Sequence, residues 1–250
     1  MLNILVLGGT DEARRLAAAL AGRAGTHVVS SLAGRVRDPR LPVGEVREGG
    51  FGGPAGLMAW IKEHRIDVVV DATHPFAARM TVSAAEATGQ AGVPLLILRR
   101  PGWQAGPGDD WRWTPSLAAA AESLPGLGRR VFLTTGRRSL PVFAGLDDLW
   151  FLARSVDPPE PPAPRRLQVL LSRGPFTVEG ELALMRDNRI DMLVTKDSGG
   201  RMTTAKLFAA RELGLPVVVV RRPAAPDGVT KVETVEEALA WLEAVTGTAG

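Results

Sequence analysis

One segment of this chain occurs twice, and that repetition limits its folds more than any other feature. A shift of 122 positions lays residues 79–101 on residues 201–223, and nine of the 23 pairs are identical. They include Arg79-Met80-Thr81 on Arg201-Met202-Thr203 and Arg99-Arg100-Pro101 on Arg221-Arg222-Pro223. Gly92-x-Pro94 falls on Gly214-x-Pro216, and a two-residue gap brings Arg65-Ile66-Asp67 onto Arg189-Ile190-Asp191. An ordered set of matches over this length points to an internal duplication, so the fold has to be one that is built twice.

Each copy reads as short apolar strands alternating with helices. In the first, residues 3–7, 26–30, 68–70 and 95–98 are strands, and residues 11–22, 54–64 and 77–90 are helices. In the second, residues 131–135, 167–171, 192–194 and 217–220 are strands, and residues 178–188 and 202–213 are helices. Each copy closes with a short strand and a helix, 111–113 with 116–124 and 229–232 with 234–245; Thr234 and Glu237 have the spacing of a capping box. Short apolar strands in this rhythm imply parallel sheets covered on both faces. The expected fold is α/β: two Rossmann-like domains with parallel sheets and a ligand cleft between them. The boundary falls at 127/128, giving domains 1–127 and 128–250. Whether the closing strands pair within their own half or cross to the other sheet stays open.

Composition narrows the chemistry. The chain has 250 residues, no cysteine, no tyrosine, and histidine only at 27, 64 and 74. That excludes disulfides, thiolate nucleophiles, Fe–S clusters and any mechanism needing a phenolic acid, including that of short-chain dehydrogenases. The histidines have no metal-ligand spacing, and no metal is expected. A net charge of +3 with mixed signs is not the basic stripe of a nucleic-acid binder. Arginine pairs at 99–100, 129–130, 137–138, 165–166 and 221–222 suit planar carboxylate or phosphate ligands. The N-terminus lacks the features of a signal peptide, and no apolar run approaches the ~20 residues that span a bilayer. A soluble, cytoplasmic protein is expected, with oligomeric state open.

Ligands of open parallel sheets bind at the carboxyl ends of the strands, so the strand exits are the places to look. The first carries Gly8, Gly9 and Thr10 before a helix; it reads either as an ordinary βα turn or as a seat for a pyrophosphate. The second carries Ser30, Ser31, Leu32, Ala33, Gly34 and Arg35. A hydroxyl pair with an arginine favours a 2′-phosphate, hence NADPH over NADH, with Asp38 near enough to argue the other way. The third is Asp71, Ala72, Thr73, His74, Pro75 and Phe76, a dense polar group that either faces a ligand or caps the next helix. In the second copy the matching exit is Lys196, Asp197, Ser198, Gly199 and Gly200, where the glycines permit close backbone approach. Thr135, Gly136 and Arg137, and Ser172, Arg173 and Gly174, are two further exits with an arginine beside a glycine. They look like seats for a ligand with several carboxylates.

GGTDEA at 8–13, SSLAGR at 30–35, DATHPFA at 71–77, RRPGW at 99–103, TTGR at 134–137 and TKDSGG at 195–200 together resemble the precorrin-6A reductase family, which includes the cobalt-precorrin-6A reductases of cobalamin biosynthesis. The motifs occur in the family's order over nearly the whole chain. The resemblance implies reduction of a ring double bond of precorrin-6A by NADPH to give precorrin-6B. It implies that Gly8, Gly9, Thr10 and residues 30–35 hold the nucleotide, and that residues 72–76 lie near the nicotinamide and the substrate. It also implies that Thr135, Gly136, Arg137, residues 172–174 and residues 196–200 hold a polycarboxylate tetrapyrrole. His74, Asp71 and Lys196 are the candidates for supplying a proton. A nucleotide-sugar glycosyltransferase and a two-lobed small-molecule binding module are the competing readings.

Overall fold

The computed structural model describes residues 1–33, 41–200 and 203–247. The chain forms two parallel six-stranded sheets with helices packed on them. Two compact units contain them: residues 1–101 with 223–250, and residues 102–222.

In the first unit the elements are β1 (Leu2–Leu7), α1 (Asp11–Ala21), β2 (Thr26–Leu32), β3 (Glu45–Glu48), α2 (Pro54–Glu63), β4 (Val68–Asp71), α3 (Ala78–Ala91) and β5 (Leu95–Leu98). The second unit begins with β6 (Trp111–Thr114) and α4 (Leu117–Ser123). It continues through β7 (Arg130–Leu133), a 3-10 helix (Arg137–Phe143), β8 (Trp150–Ser155), β9 (Leu167–Leu171), α5 (Val178–Asp187), β10 (Met192–Lys196), α6 (Ala205–Glu212) and β11 (Val217–Val220). The chain then returns to the first unit with β12 (Thr230–Val232) and α7 (Val235–Gly247).

The first sheet runs β12-β5-β4-β1-β2-β3 and the second β6-β11-β10-β7-β8-β9. Every pairing is parallel. Both have the doubly wound order: β1 and β7 start inside their sheets, the chain winds from each to one edge at β3 and β9, and then returns to wind toward the other through β4 and β5, and through β10 and β11. The sixth strand of each sheet comes from the other copy: Thr230 pairs with Leu96, and Trp111 with Val217. The closing strands are therefore exchanged, and sheet pairing divides the chain differently from a boundary at 127/128. The helix that follows each exchanged strand goes with it. Val235, Ala238 and Leu242 of α7 are buried against Ile4, Val6 and Val70 of the first sheet. Thr234 and Glu237 cap α7 reciprocally, with Thr234 Oγ1 accepting from Glu237 N at 3.1 Å and Glu237 Oε2 accepting from Thr234 N at 3.2 Å.

The repeat is legible atom by atom. Arg65 and Arg189 are the only non-glycine residues with positive φ among the described residues, at 49° and 48°, and each ends a helix. Ile66 N donates to Ile61 O, and Ile190 N to Met185 O. The Asp67 carboxylate accepts from Asn3 N, and that of Asp191 from Arg129 N and Arg130 N, so each aspartate fastens the start of the sheet's central strand. Each repeated Arg-Arg-Pro stands where the chain leaves one unit for the other.

Candidate functional site

In the first unit, β2, β1 and β4 are neighbours, so their exits lie side by side. Gly8 packs under the β2 exit: its N–H donates to Ser31 O at 2.9 Å, and a Cβ there would lie 3.4 Å from the Leu32 side chain. Gly9 has φ 114°, a conformation that side chains rarely adopt, so a glycine is required for the turn. Thr10 then caps α1, accepting from Ala13 N at 3.1 Å, while its hydroxyl donates to Ala72 O at 2.7 Å. One buried side chain thus starts the helix and ties the β1 exit to the β4 exit. The first turn of α1 carries Asp11 and Glu12, which would repel an anion at the helix N-terminus. Both are paired: Asp11 with Arg14 at 3.0 Å, and Glu12 with Arg100 at 2.7 Å.

A pocket at this end is lined by Gly8, Gly9, Ala13, Arg14, Ser30, Leu32 and Pro42. Ser30 is buried there, and its hydroxyl has no hydrogen-bond partner among the described residues. Gly34 and Arg35 lie outside the described residues; Ser31 and Leu32 complete β2, and Ala33 follows it. At the β4 exit, Asp71 Oδ1 accepts from Thr73 N at 3.0 Å and from Thr73 Oγ1 at 2.6 Å. Asp71 is buried and shapes its own loop, whereas His74 is exposed. Nδ1 of His74 accepts from Phe76 N at 3.2 Å, which leaves Nε2 to carry the proton of the neutral ring.

In the second unit the exits of β10 and β7 adjoin, while that of β9 is separated from them by β8. Lys196 reaches across to donate to Thr135 O at 2.7 Å, and burial pushes its ammonium pKa down. Thr135 Oγ1 and Ser139 Oγ share a hydrogen bond of 2.6 Å beside Gly136, whose φ is 86°. Arg137 lies 3.8 Å from the Asp157 carboxylate and donates to Pro158 O at 3.3 Å. Ser172 Oγ is buried without a partner among the described residues, and Arg173 is exposed.

Asp197 holds its surroundings together. Arg222 grips its carboxylate with two hydrogen bonds, of 3.0 and 3.1 Å, and Trp103 N donates to it at 2.9 Å. A Cβ on Gly102 would come within 2.7 Å of Asp197 Oδ2, so a glycine precedes the tryptophan in RRPGW. The Trp103 indole N–H donates to Gly200 O at 3.2 Å. Gly199 and Gly200, with φ of 62° and 79°, turn the chain there. Trp103 and Arg222 were not among the candidates; their signal was RRPGW and its Arg-Arg-Pro duplicate.

Two doubly wound parallel sheets with glycine turns at their strand exits define an α/β protein of the Rossmann-like class. A model of the family described as Precorrin-6x reductase CbiJ/CobK matches residues 3–243, and the chain belongs to that family. It is an oxidoreductase of cobalamin biosynthesis. The precorrin-6A reductase of Rhodococcus erythropolis is 56% identical over 246 residues, which cover 98% of this chain and 99% of that protein. The cobalt-precorrin-6A reductase of Salmonella typhimurium is 30% identical, with 88% of each chain covered. A solved structure titled CobK precorrin-6A reductase is 44% identical and superposes with a TM-score of 0.90, covering 97% of this chain and 96% of that one. Family membership decides for a reductase over the glycosyltransferase and the binding module. No helix among the described residues is long and apolar enough to cross a membrane.

Proposed function

We propose that this enzyme reduces a ring double bond of precorrin-6A to give precorrin-6B, with NADPH as the hydride donor. The observation that carries the cofactor side is the turn Gly8-Gly9-Thr10 beside the buried, unpartnered Ser30 hydroxyl. A nucleotide fits this donor set: bare backbone at the turn, free N–H groups at the start of α1, and a hydroxyl short of a partner. Arg100 and Arg14 neutralise the two carboxylates of that helix turn, which favours a diphosphate there. Bound NADPH supplies the hydride.

The second unit supplies the groups that suit the substrate's carboxylate arms: Arg173 at the β9 exit, Arg137 at the β7 exit, and the Ser198-Gly199-Gly200 backbone. Asp197 acts through Arg222 and Trp103, as the fastener of that backbone. Of the three proton-donor candidates, Asp71 is committed to Thr73 and Lys196 to Thr135 O, so His74 is the one open to solvent. Higher identity to the precorrin-6A reductase than to the cobalt-precorrin-6A reductase supports the metal-free macrocycle as substrate.

Anaerobic incubation with precorrin-6A and NADPH is expected to change the macrocycle's absorption, and more slowly with the cobalt-containing form. No change with either form overturns the substrate. NADPH is expected to bind at least tenfold more tightly than NADH, and Arg35→Ala to remove most of that difference. Equal affinities in the unaltered protein overturn the cofactor preference.

A further inference from the structure

The two copies share a frame, so a position where they differ in kind marks a task of one copy alone. Helices α2 and α5 correspond with a shift of 124, which places Glu181 where the first copy has Leu57. Helices α3 and α6 correspond with a shift of 122, which places Lys206 where the first copy has Ala84. Val6 pairs with Ser30 and Leu133 with Ala153, so Arg154 follows as the counterpart of Ser31. Leu57 and Ala84 are fully buried in an apolar core. Their counterparts are buried as well: Glu181 is 1% exposed and Lys206 7%. The second copy has an arginine, a glutamate and a lysine buried together where the first has a serine, a leucine and an alanine.

Nothing in the frame calls for this substitution, because the first copy is built without it. Nor is the cluster fully satisfied. Arg154 Nη1 donates to Glu181 Oε1 at 2.6 Å, but Arg154 Nε and Glu181 Oε2 have no partner among the described residues. Its outward contacts run to two strand exits. The Arg154 guanidinium lies 3.9 Å from the ring centroid of Phe176, on the loop after β9 that carries Arg173. Lys206 Nζ donates to Thr203 O at 3.0 Å and lies 5.1 Å from the Trp103 ring. Thr203 Oγ1 shares a hydrogen bond of 3.5 Å with Ser198 Oγ, and Trp103 holds Gly200 O.

We propose that Arg154, Glu181 and Lys206 are positioning residues for the reaction: together they hold the loop after β9 and the glycine loop after β10 in the arrangement that receives the substrate's carboxylates. The inference rests on the reading that the second unit takes the tetrapyrrole. An apolar cluster of similar volume keeps the frame and removes the hold on both loops, because a buried ion network is replaceable by packed hydrophobic side chains with little loss of stability.

The test is the triple variant Arg154→Met/Glu181→Leu/Lys206→Met, with Lys206→Met alone beside it. Both are expected to fold and to bind NADPH within twofold of the unaltered enzyme, since the nucleotide turn lies in the other unit. The KM for precorrin-6A is expected to rise at least tenfold in the triple variant and about threefold in the single one. A triple variant with an unchanged KM overturns the inference. So does one that no longer folds, or one whose NADPH affinity falls in step, because the cluster is then part of the frame. Failure of the unaltered enzyme to turn over precorrin-6A would instead overturn the reading on which the inference rests.

Discussion

Glu181→Ala is expected to destabilise the second unit by about 4 kcal/mol, among the costliest single changes available in this chain. The carboxylate is 1% exposed and pairs with Arg154 at 2.6 Å, the arginine side chain being 10% exposed. Phe132 and Phe176 lie against the guanidinium, and the Trp103 ring lies beside Lys206, so water does not replace the lost partner. Removing Glu181 leaves the Arg154 guanidinium buried without its carboxylate, takes away the charge that pulls the Lys206 pKa up, and opens a cavity. Breaking a buried pair from one side costs about 3–5 kcal/mol for this reason, whereas an exposed pair is worth under about 1 kcal/mol. At roughly 2–4 °C per kcal/mol, the melting transition of the second unit should fall by about 10 °C. Glu181→Gln keeps a hydrogen-bond acceptor and should lose about half as much. A melting curve of Glu181→Ala within 2 °C of the unaltered protein would show that the pair is not buried as described.

The frame was legible in the sequence because duplication writes it twice. Arg-Ile-Asp marks a helix end, a buried side chain and a strand clamp in both copies, and Gly-x-Pro marks the next helix end. What escaped was the strand exchange. Arg-Arg-Pro at 99–101 and at 221–223 reads as one more match, yet each copy stands where the chain changes units. A repeat shows that two segments are alike and not which sheet each joins. Nor did the edge strand β3 show itself: its sequence is Glu-Val-Arg-Glu, and an edge needs no apolar run. The strand β8 escaped as well: only 167–171 was expected between residues 135 and 192, although Trp150-Phe151-Leu152-Ala153 is an apolar run that Arg154 ends.

The candidate site divides in the same way. Glycines and the capping threonine at the β1 exit were readable because their backbone and capping roles follow from residue type. Asp197 was legible as a polar group at a strand exit, but its bonds to Arg222 and Trp103, partners 25 and 94 residues away, were not. Glu181 and Lys206 gave no local signal at all, since a charged residue on an amphipathic helix normally faces water. Only alignment with Leu57 and Ala84, buried in the other copy, shows that their positions face inward.

Lys206→Met is expected to stabilise the protein by about 3 kcal/mol at pH 7, the reverse of what removing a hydrogen-bonded ammonium usually does. Burial pushes the Lys206 pKa down from 10.5 to about 7; the Glu181 carboxylate pulls it up, and the Arg154 guanidinium pushes it further down. A fall of that size corresponds to about 5 kcal/mol of burial cost at 1.36 kcal/mol per decade. The variant gives up the bond to Thr203 O, worth about 1 kcal/mol, and some packing. The dependence on pH has a definite sign. Below about 7 both the folded and the unfolded states hold the proton, and the full cost is present. Between about 7 and 10.5 the unfolded state binds more protons, so the stability of the unaltered protein rises with pH and the cost is gone above that window. The advantage of Lys206→Met should therefore be widest at and below neutral pH and should close toward pH 10. Denaturant unfolding at pH 6, 7, 8.5 and 10 measures it. An advantage that does not narrow with pH, or a variant less stable at pH 6, would mean that the ammonium carries no burial cost. An advantage of that size for methionine, at a position where the other copy has alanine, would agree with the proposed role of Lys206 in holding the two loops.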